Sequence, residues 1–464
     1  MWMIDIDRVS GIFVVHKDAT PPPPEGEGHY TSPMTSSFHF ISLCSILLIS
    51  VTCVQTQTIR TKNVLLEVSK DPQTLQYVTQ VRQRTPLISL SLTVDLGGRY
   101  LFTDCANGYV SSTYRFQDCH TTQCKLVRGF FCDTCDGPIS QTCHNETCAH
   151  FAFSPYGSSR VAGSLASDVV SISSTNGQNP TQVVSVPQFL FYCVDNRFGL
   201  LNGLANGVTG IAALGRTEVS LATQFARFFD FRKIFAMCLS PSSAKGVLIF
   251  GEGPYMFLPN VNAASSLTYT PILLNRGEWI EQPSSDYFIG VTSIKINGTV
   301  VPVNTTLFSF DRFGNGGTKI STVNPYTVLE DSIYDAVVKA FVEATPGSTR
   351  VAAVAPFEVC YNSNSFVSTR VGPAVPVIDL VLQSEQVSWR IFGANSMVQV
   401  TRDVMCLGFV KQGPISLGNA ITIGGYQLEN HLLQFNVAKL MLGFSSSLLF
   451  RQTTCANFNF TSSA

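Results

Sequence analysis

One structural grammar is written twice in this chain, and that duplication limits the folds open to it. From Val64 onward, short runs of alternating apolar and polar residues are separated by turn residues, the pattern of an all-β protein. In the first half, residues 93–105 (TVDLGGRYLFTDC) read as a strand, a tight turn at Asp95-Leu96-Gly97-Gly98 and a second strand. Residues 220–231 follow as a short helix with Leu221, Phe225 and either Phe228 or Phe229 on one face. In the second half, residues 316–322 (GGTKIST) have the same character, and the clearest helix in the chain comes directly after them. Thr327 is its expected N-cap, Glu330 closes a capping box, and Leu329, Ile333, Val337 and Phe341 recur every four residues. Asn297-Gly298, between two strand-like runs, predicts a hairpin turn.

Size and composition agree with two sheet-built lobes. A chain of 464 residues with 45% hydrophobic content can bury a large core. Charged residues make up only 13%, which argues against an electrostatic nucleic-acid binder. The net charge is −1, and it becomes +2 without the first 53 residues, a balance too small to name a partner.

Those first residues divide in two. Residues 34–53 (MTSSFHFISLCSILLISVTC) have a short polar opening, an apolar run and small residues at the end, the organisation of a signal peptide. The apolar run is shorter than the roughly 20 residues a spanning helix needs, so no membrane attachment is expected once it is removed. Residues 1–33, with their PPPPEGEG tract, read as an upstream extension foreign to the native start.

Cysteine usage points to the same compartment. Outside the leader stand Cys105, Cys119, Cys124, Cys132, Cys135, Cys143, Cys148, Cys193, Cys238, Cys360, Cys406 and Cys455, an even set suited to disulfides in an oxidising environment. Seven of them lie in residues 105–148, a loop-rich stretch with little periodicity. The pair Cys132 and Cys135 resembles half of a zinc site, but the leader and the even count favour disulfides, with no metal and no cofactor. Sequons at Asn145, Asn297, Asn304 and Asn459 fit glycosylation during secretion.

Over residues 60–460 these motifs, in this order, resemble a bilobal pepsin-like fold with a few short helices. The resemblance is closer to the plant extracellular dermal glycoproteins, basic 7S globulins and xyloglucan-specific endoglucanase inhibitors. Residues 93–98 lie where a pepsin has its first active-site loop. Tyr156-Gly157, with Gly163 and Asp168, matches the flap, and residues 207–215 and 421–425 match the segments that close each psi loop. The tail from Thr453 to Phe460 and residues 319–330 match the plant branch. The resemblance implies an N-terminal lobe over 54–255 and a C-terminal lobe over 256–464. It also implies pairing of Cys360 with Cys406 and, with the cysteines left over, of Cys238 with Cys455, while the remaining eight pair within the first lobe in an order that spacing does not determine.

The departures from the pepsin pattern decide the expected activity. Aspartic proteolysis needs two carboxylates sharing a proton. Asp95 stands at the first position, but Ser321 stands at the second, and Leu96 and Gly98 replace hydroxyl residues of the first loop. Asp95, Ser321 and the flap Tyr156 are therefore read as remnants, and the chain as no enzyme. The resemblance implies instead a secreted, apoplastic inhibitor of microbial endo-β-glucanases or xylanases, acting in plant defence. Arg370 and Arg451 stand where such inhibitors place arginines that fill the sugar cleft; Arg350 and Arg402 rank behind them. The alternatives are a storage protein, one that binds a small cysteine-rich peptide, and a residual aspartic endopeptidase.

Overall fold

A computed structural model describes residues 61–462 apart from 107, 135–136, 140–143, 157–158, 278–282 and 414–417. The expected upstream extension and signal peptide, as well as Cys135, Cys143, Gly157 and Ser158, lie outside the described residues.

The halves are joined by a shared antiparallel sheet. Its strands run in the order Val64–Lys70, Gly246–Phe250, Ile234–Cys238, Leu432–Asn436, Met441–Phe444 and Thr268–Leu273. The middle pair brings the halves edge to edge, with Ile234 opposite Asn436 and Cys238 opposite Leu432. Across this seam Phe235 stacks on Phe435 with ring centres 4.8 Å apart, and Tyr287 meets Phe435 edge-on at 4.6 Å. The Ile234–Cys238 segment is apolar throughout because every one of its residues is buried. A disulfide from Cys238 to Cys455 holds the C-terminal tail against this sheet.

On either side of the seam the same wiring recurs. In the first half, Ile88–Asp95 lies between Tyr77–Gln83, antiparallel to it, and Gly210–Ala213, parallel to it. In the second, Thr318–Ile320 lies between Tyr287–Ile289, antiparallel, and Ile421–Ile423, parallel. Gly210 is required where it stands, since a Cβ there would lie 1.9 Å from the Phe102 carbonyl oxygen. The duplicated grammar of the sequence is thus a duplicated strand order, and the chain is a bilobal all-β pepsin-like fold.

The structure moves the cap of one expected helix and chooses between the two open positions of the other. The second helix spans Asp331–Glu343 and is capped by Glu330, whose carboxylate accepts the amides of Ser332 at 2.9 Å and Ile333 at 3.2 Å. Thr327, expected as the cap, instead lies in the strand Thr327–Leu329, where its amide and hydroxyl both donate to Gln427 Oε1 at 2.9 Å. Pairing with Phe409–Lys411 and Ile421–Ile423 claims these residues for the sheet, so Leu329 is apolar for a strand's reason. In the helix Leu221–Phe229 the core takes Phe225 and Phe229, while Phe228 is 47% exposed.

The cysteine-rich stretch is stapled to the first lobe. Cys105 bonds Cys193, Cys119 bonds Cys132 and Cys124 bonds Cys148, while Cys360 bonds Cys406 in the second half. Cys132 is therefore spoken for, which removes it from any zinc half-site.

Candidate functional site

The two parallel strand pairs end in loops that face each other. Leu214 donates its amide to the Asp95 carbonyl at 2.9 Å, and Ser321 donates its amide to the Ile423 carbonyl at 2.9 Å, tying each loop to the parallel strand beside it. Thr322 then crosses the gap between the loops. Its Oγ1 accepts the Leu96 amide at 3.0 Å and donates to the Val94 carbonyl at 2.8 Å. The reciprocal bonds are missing because Leu96 has no hydroxyl; its side chain is fully buried in the core. The loops are locked by half of a symmetric clasp.

Asp95 and Ser321 occupy equivalent places on these loops and do similar backbone work. Asp95 Oδ1 accepts the Gly97 amide at 3.0 Å. Ser321 Oγ accepts the amides of Val323 at 3.1 Å and Asn324 at 3.3 Å. A hydroxyl thus completes the second turn without bringing a charge.

A second carboxylate does lie near Asp95, and sequence reasoning missed it. Asp286, just before the strand Tyr287–Ile289, comes so close to the first loop that a Cβ on Gly97 would fall 2.0 Å from its Oδ1. Burial first, and then the charge of Asp286, push the Asp95 carboxyl up to about 6, while Lys319 and the Gly97 and Gly98 amides pull it the other way. Lys319 Nζ stands 3.4 Å from Asp286 Oδ1, and the Ser284 hydroxyl donates to Asp286 Oδ2 at 2.8 Å. With an ammonium of its own, Asp286 is not the free partner of a proton-sharing pair. Nothing in the local sequence, Ser284-Ser285-Asp286-Tyr287, marks it out, because its proximity to Asp95 is purely tertiary.

Tyr156 sits in the turn between the strands Thr147–Phe153 and Arg160–Thr175, the hairpin read as a flap. It packs against the buried cluster that includes Tyr100, Phe102, Tyr192 and Leu200, and its hydroxyl is buried with no hydrogen-bond partner among the described residues. Burial and then the charge of Asp95 raise its phenol above the usual range. Tyr156 is thus close enough to Asp95 to feel its charge, and Thr322 ties the Ser321 loop to the Asp95 loop.

Arg370 and Arg451 belong to a separate surface of the second half. Arg370 and Val371 form the turn of a hairpin whose strands are Ser368–Thr369 and Gly372–Pro373, and the guanidinium is exposed. Thr369 Oγ1 braces that turn, donating to the Gly372 carbonyl at 2.6 Å and accepting the Val371 amide at 3.2 Å. The hairpin rests on the helix Gly393–Ser396, where Ala394 donates to the Val371 carbonyl at 2.7 Å. The residue preceding that helix, Phe392, meets Phe450 edge-on with ring centres 4.9 Å apart. Phe450 is the neighbour of Arg451, which ends the short helix Leu448–Arg451 and donates from Nη1 to the Asn262 carbonyl at 2.9 Å. One chain of contacts therefore connects the two arginine turns. Arg350 and Arg402 are exposed, and Arg350 lies over the Tyr361 ring at 5.5 Å.

Asn145, Asn297 and Asn304 are exposed and Asn459 is half-buried. Asn297 and Gly298 both have positive φ, 49° and 82°, as the hairpin turn requires. Among the described residues no group of His, Cys, Asp or Glu could hold a metal ion, and no helix is long and apolar enough to cross a membrane.

Comparison with known proteins matches this architecture over nearly its whole length. Residues 77–252 match the family described as xylanase inhibitor N-terminal, and residues 286–446 that described as xylanase inhibitor C-terminal. The probable aspartic proteinase GIP2 of Nicotiana benthamiana is 54% identical over 92% of this chain and 98% of its own, and gamma conglutin 1 of Prunus dulcis is 40% identical over 93% and 99%. The crystal structure of edgp superposes with a TM-score of 0.84 at 50% identity, covering 87% of this chain and 99% of that one. Basic 7S globulin from soybean superposes with a TM-score of 0.74 at 34% identity, covering 86% and 100%. The chain belongs to the pepsin-fold family of xylanase-inhibitor-like proteins that also holds the basic 7S globulins and gamma conglutins.

Proposed function

We propose that this protein is a secreted, glycosylated and catalytically inert inhibitor of microbial cell-wall glycoside hydrolases, of the xyloglucan-specific endoglucanase or xylanase type. Ser321 in place of a second catalytic acid removes proteolysis, and Arg370 and Arg451 enter the sugar cleft of the target. The reading is carried by the braced Arg370 turn: an exposed guanidinium on a two-residue hairpin end, tied through Ala394, Phe392 and Phe450 to the turn that bears Arg451. A retaining glycosidase holds two carboxylates roughly 5 Å apart in an open groove. A guanidinium offers such a groove paired donors, and a rigid base keeps the entropy cost of placing it low. Arg451 would have to release its bond to Asn262 to reach outward, so Arg370 carries the larger share.

Inhibition assays against a panel of secreted microbial endoglucanases and xylanases test the proposal. Arg370→Ala is expected to weaken inhibition by about 100-fold, in the range of a buried charge-paired anchor, and Arg451→Ala by about tenfold. Both variants should keep the wild-type melting temperature. Absence of inhibition by the wild type across the panel would overturn the reading.

The relatives named gamma conglutin and basic 7S globulin favour a second reading, a storage protein or one that binds a small cysteine-rich peptide. Tight binding of such a peptide, with no hydrolase retained from microbial culture fluid, would establish it in place of the first.

A further inference from the structure

Beside the cleft, and apart from Arg370 and Arg451, lies a cavity of about 210 Å³ whose lining includes Arg99, Arg128, Arg216, His150, Thr217 and Glu218. Three arginines line it against a single acid, Glu218. Arg99 and Arg128 make no ion pair or side-chain hydrogen bond among the described residues. Glu218, the acid in the lining, is already committed to Arg227 at 2.6 Å and Lys233 at 3.1 Å.

Arg216 is the informative member. It is half-buried, and it spends Nε and Nη2 on main-chain carbonyls: Nε donates to Asp286 at 3.1 Å, and Nη2 to Asp286 at 3.0 Å and to Ser284. Those bonds fix the plane of the guanidinium and leave Nη1 uncommitted, and burial holds its pKa below the usual arginine range. A partly desolvated cation whose hydrogen bonds all go to neutral carbonyls is a costly arrangement even with the charge of Asp286 nearby, and an anion in the cavity would relieve it. Burial holds His150 below the ordinary histidine value, the Phe151 carbonyl opposes it, and Arg99 and Arg160 add to the lowering. Ser285, from the other half of the chain, completes the wall, so the cavity opens where the two lobes meet.

We propose that Arg99, Arg128 and Arg216 form a binding site for a compact oxyanion of the sulfate or phosphate class, either free or as an ester on a larger ligand. Three positive charges suit a dianion, and the forked donors of arginine suit its tetrahedral oxygens. The site is independent of the inhibitor reading and uses none of the residues assigned to it.

Isothermal titration calorimetry of the full-length protein with sodium sulfate, sodium phosphate and tyrosine O-sulfate, at ionic strength matched with chloride, tests the site. Saturable binding is expected for at least one of the three. The paired substitution Arg99→Gln and Arg128→Gln should weaken it by about tenfold or more, as the loss of charge-assisted hydrogen bonds predicts. Both residues are exposed, so the variant should fold, and Arg115→Gln, in a different groove, should bind like the wild type. Stronger binding of the sulfate ester than of the inorganic ions would identify a ligand-borne group as the occupant, and the reverse order a free ion. Lack of saturable binding by all three, or equal binding by the paired variant, would overturn the proposal.

Discussion

The loop at Asp95 and the loop at Ser321 share a backbone and differ in charge. Each follows a strand with one parallel and one antiparallel neighbour, and each ends on a side-chain oxygen that accepts amides from its own turn. At Asp95 that oxygen belongs to a carboxylate that burial and Asp286 make reluctant to ionise. At Ser321 it belongs to a hydroxyl with no such penalty. The backbone of a psi loop therefore needs an acceptor and not an acid. The acid is what proteolysis requires, whereas the turn itself requires only the acceptor.

The clasp between the loops is the place where breaking this comparison should cost most. Thr322→Val strands the Leu96 amide and the Val94 carbonyl in a buried place, and about 2–4 kcal/mol of stability should be lost, measured by denaturant unfolding. A loss below about 0.5 kcal/mol would mean that the clasp is dispensable.

Restoring the acid should be the next largest effect. Ser321→Asp places another carboxylate in the buried cleft and should destabilise the protein by about 1–3 kcal/mol at neutral pH, with recovery near pH 4. Protein cleavage at pH 4 should stay absent in this variant, because Leu96 still lacks the hydroxyl that would complete the clasp. Pepstatin-sensitive cleavage would show that Ser321 alone had silenced the site.

Asp95→Asn runs the comparison the other way. The Asp95 carboxyl is raised from 3.8 to about 6, so the folded state holds its proton more tightly than the unfolded chain does. The stability this contributes is complete below about pH 3.8 and is lost as the pH rises through about 6. The Asn variant should therefore be more stable than the wild type by about 1–2 kcal/mol at pH 7.5, after allowance for the partial exposure of Asp95, and equal to it near pH 3.5. Thermal melts at the two pH values check the sign. The smallest effect should be that of Ser321→Ala, about 1 kcal/mol, for the loss of one acceptor serving two amides.

Much of this was open to a reader of the sequence, for physical reasons. Strand periodicity, turn residues and paired cysteines are local signals, and the two loops at residues 93–98 and 316–322 follow from them together with the resemblance. The N-cap of the second helix was misplaced because Thr327, an ordinary capping residue, was taken by the sheet, and Glu330 capped the helix from three residues further on. Asp286 and Arg216 had no local signal at all. Their importance comes from segments about 70 to 190 residues apart along the chain meeting at one cleft.

Sequence alone determined the all-β class, the oxidising cysteine set and the single acid at the two loop positions, because each depends on residue type and spacing. Tertiary structure decided which charges face one another: Asp286 toward the Asp95 loop with Lys319 beside it, and Arg216 toward a cavity whose lining acid, Glu218, is paired with Arg227 and Lys233. Electrostatic energy depends on distance through space and on the water excluded between groups, and neither quantity is written in the order of the residues.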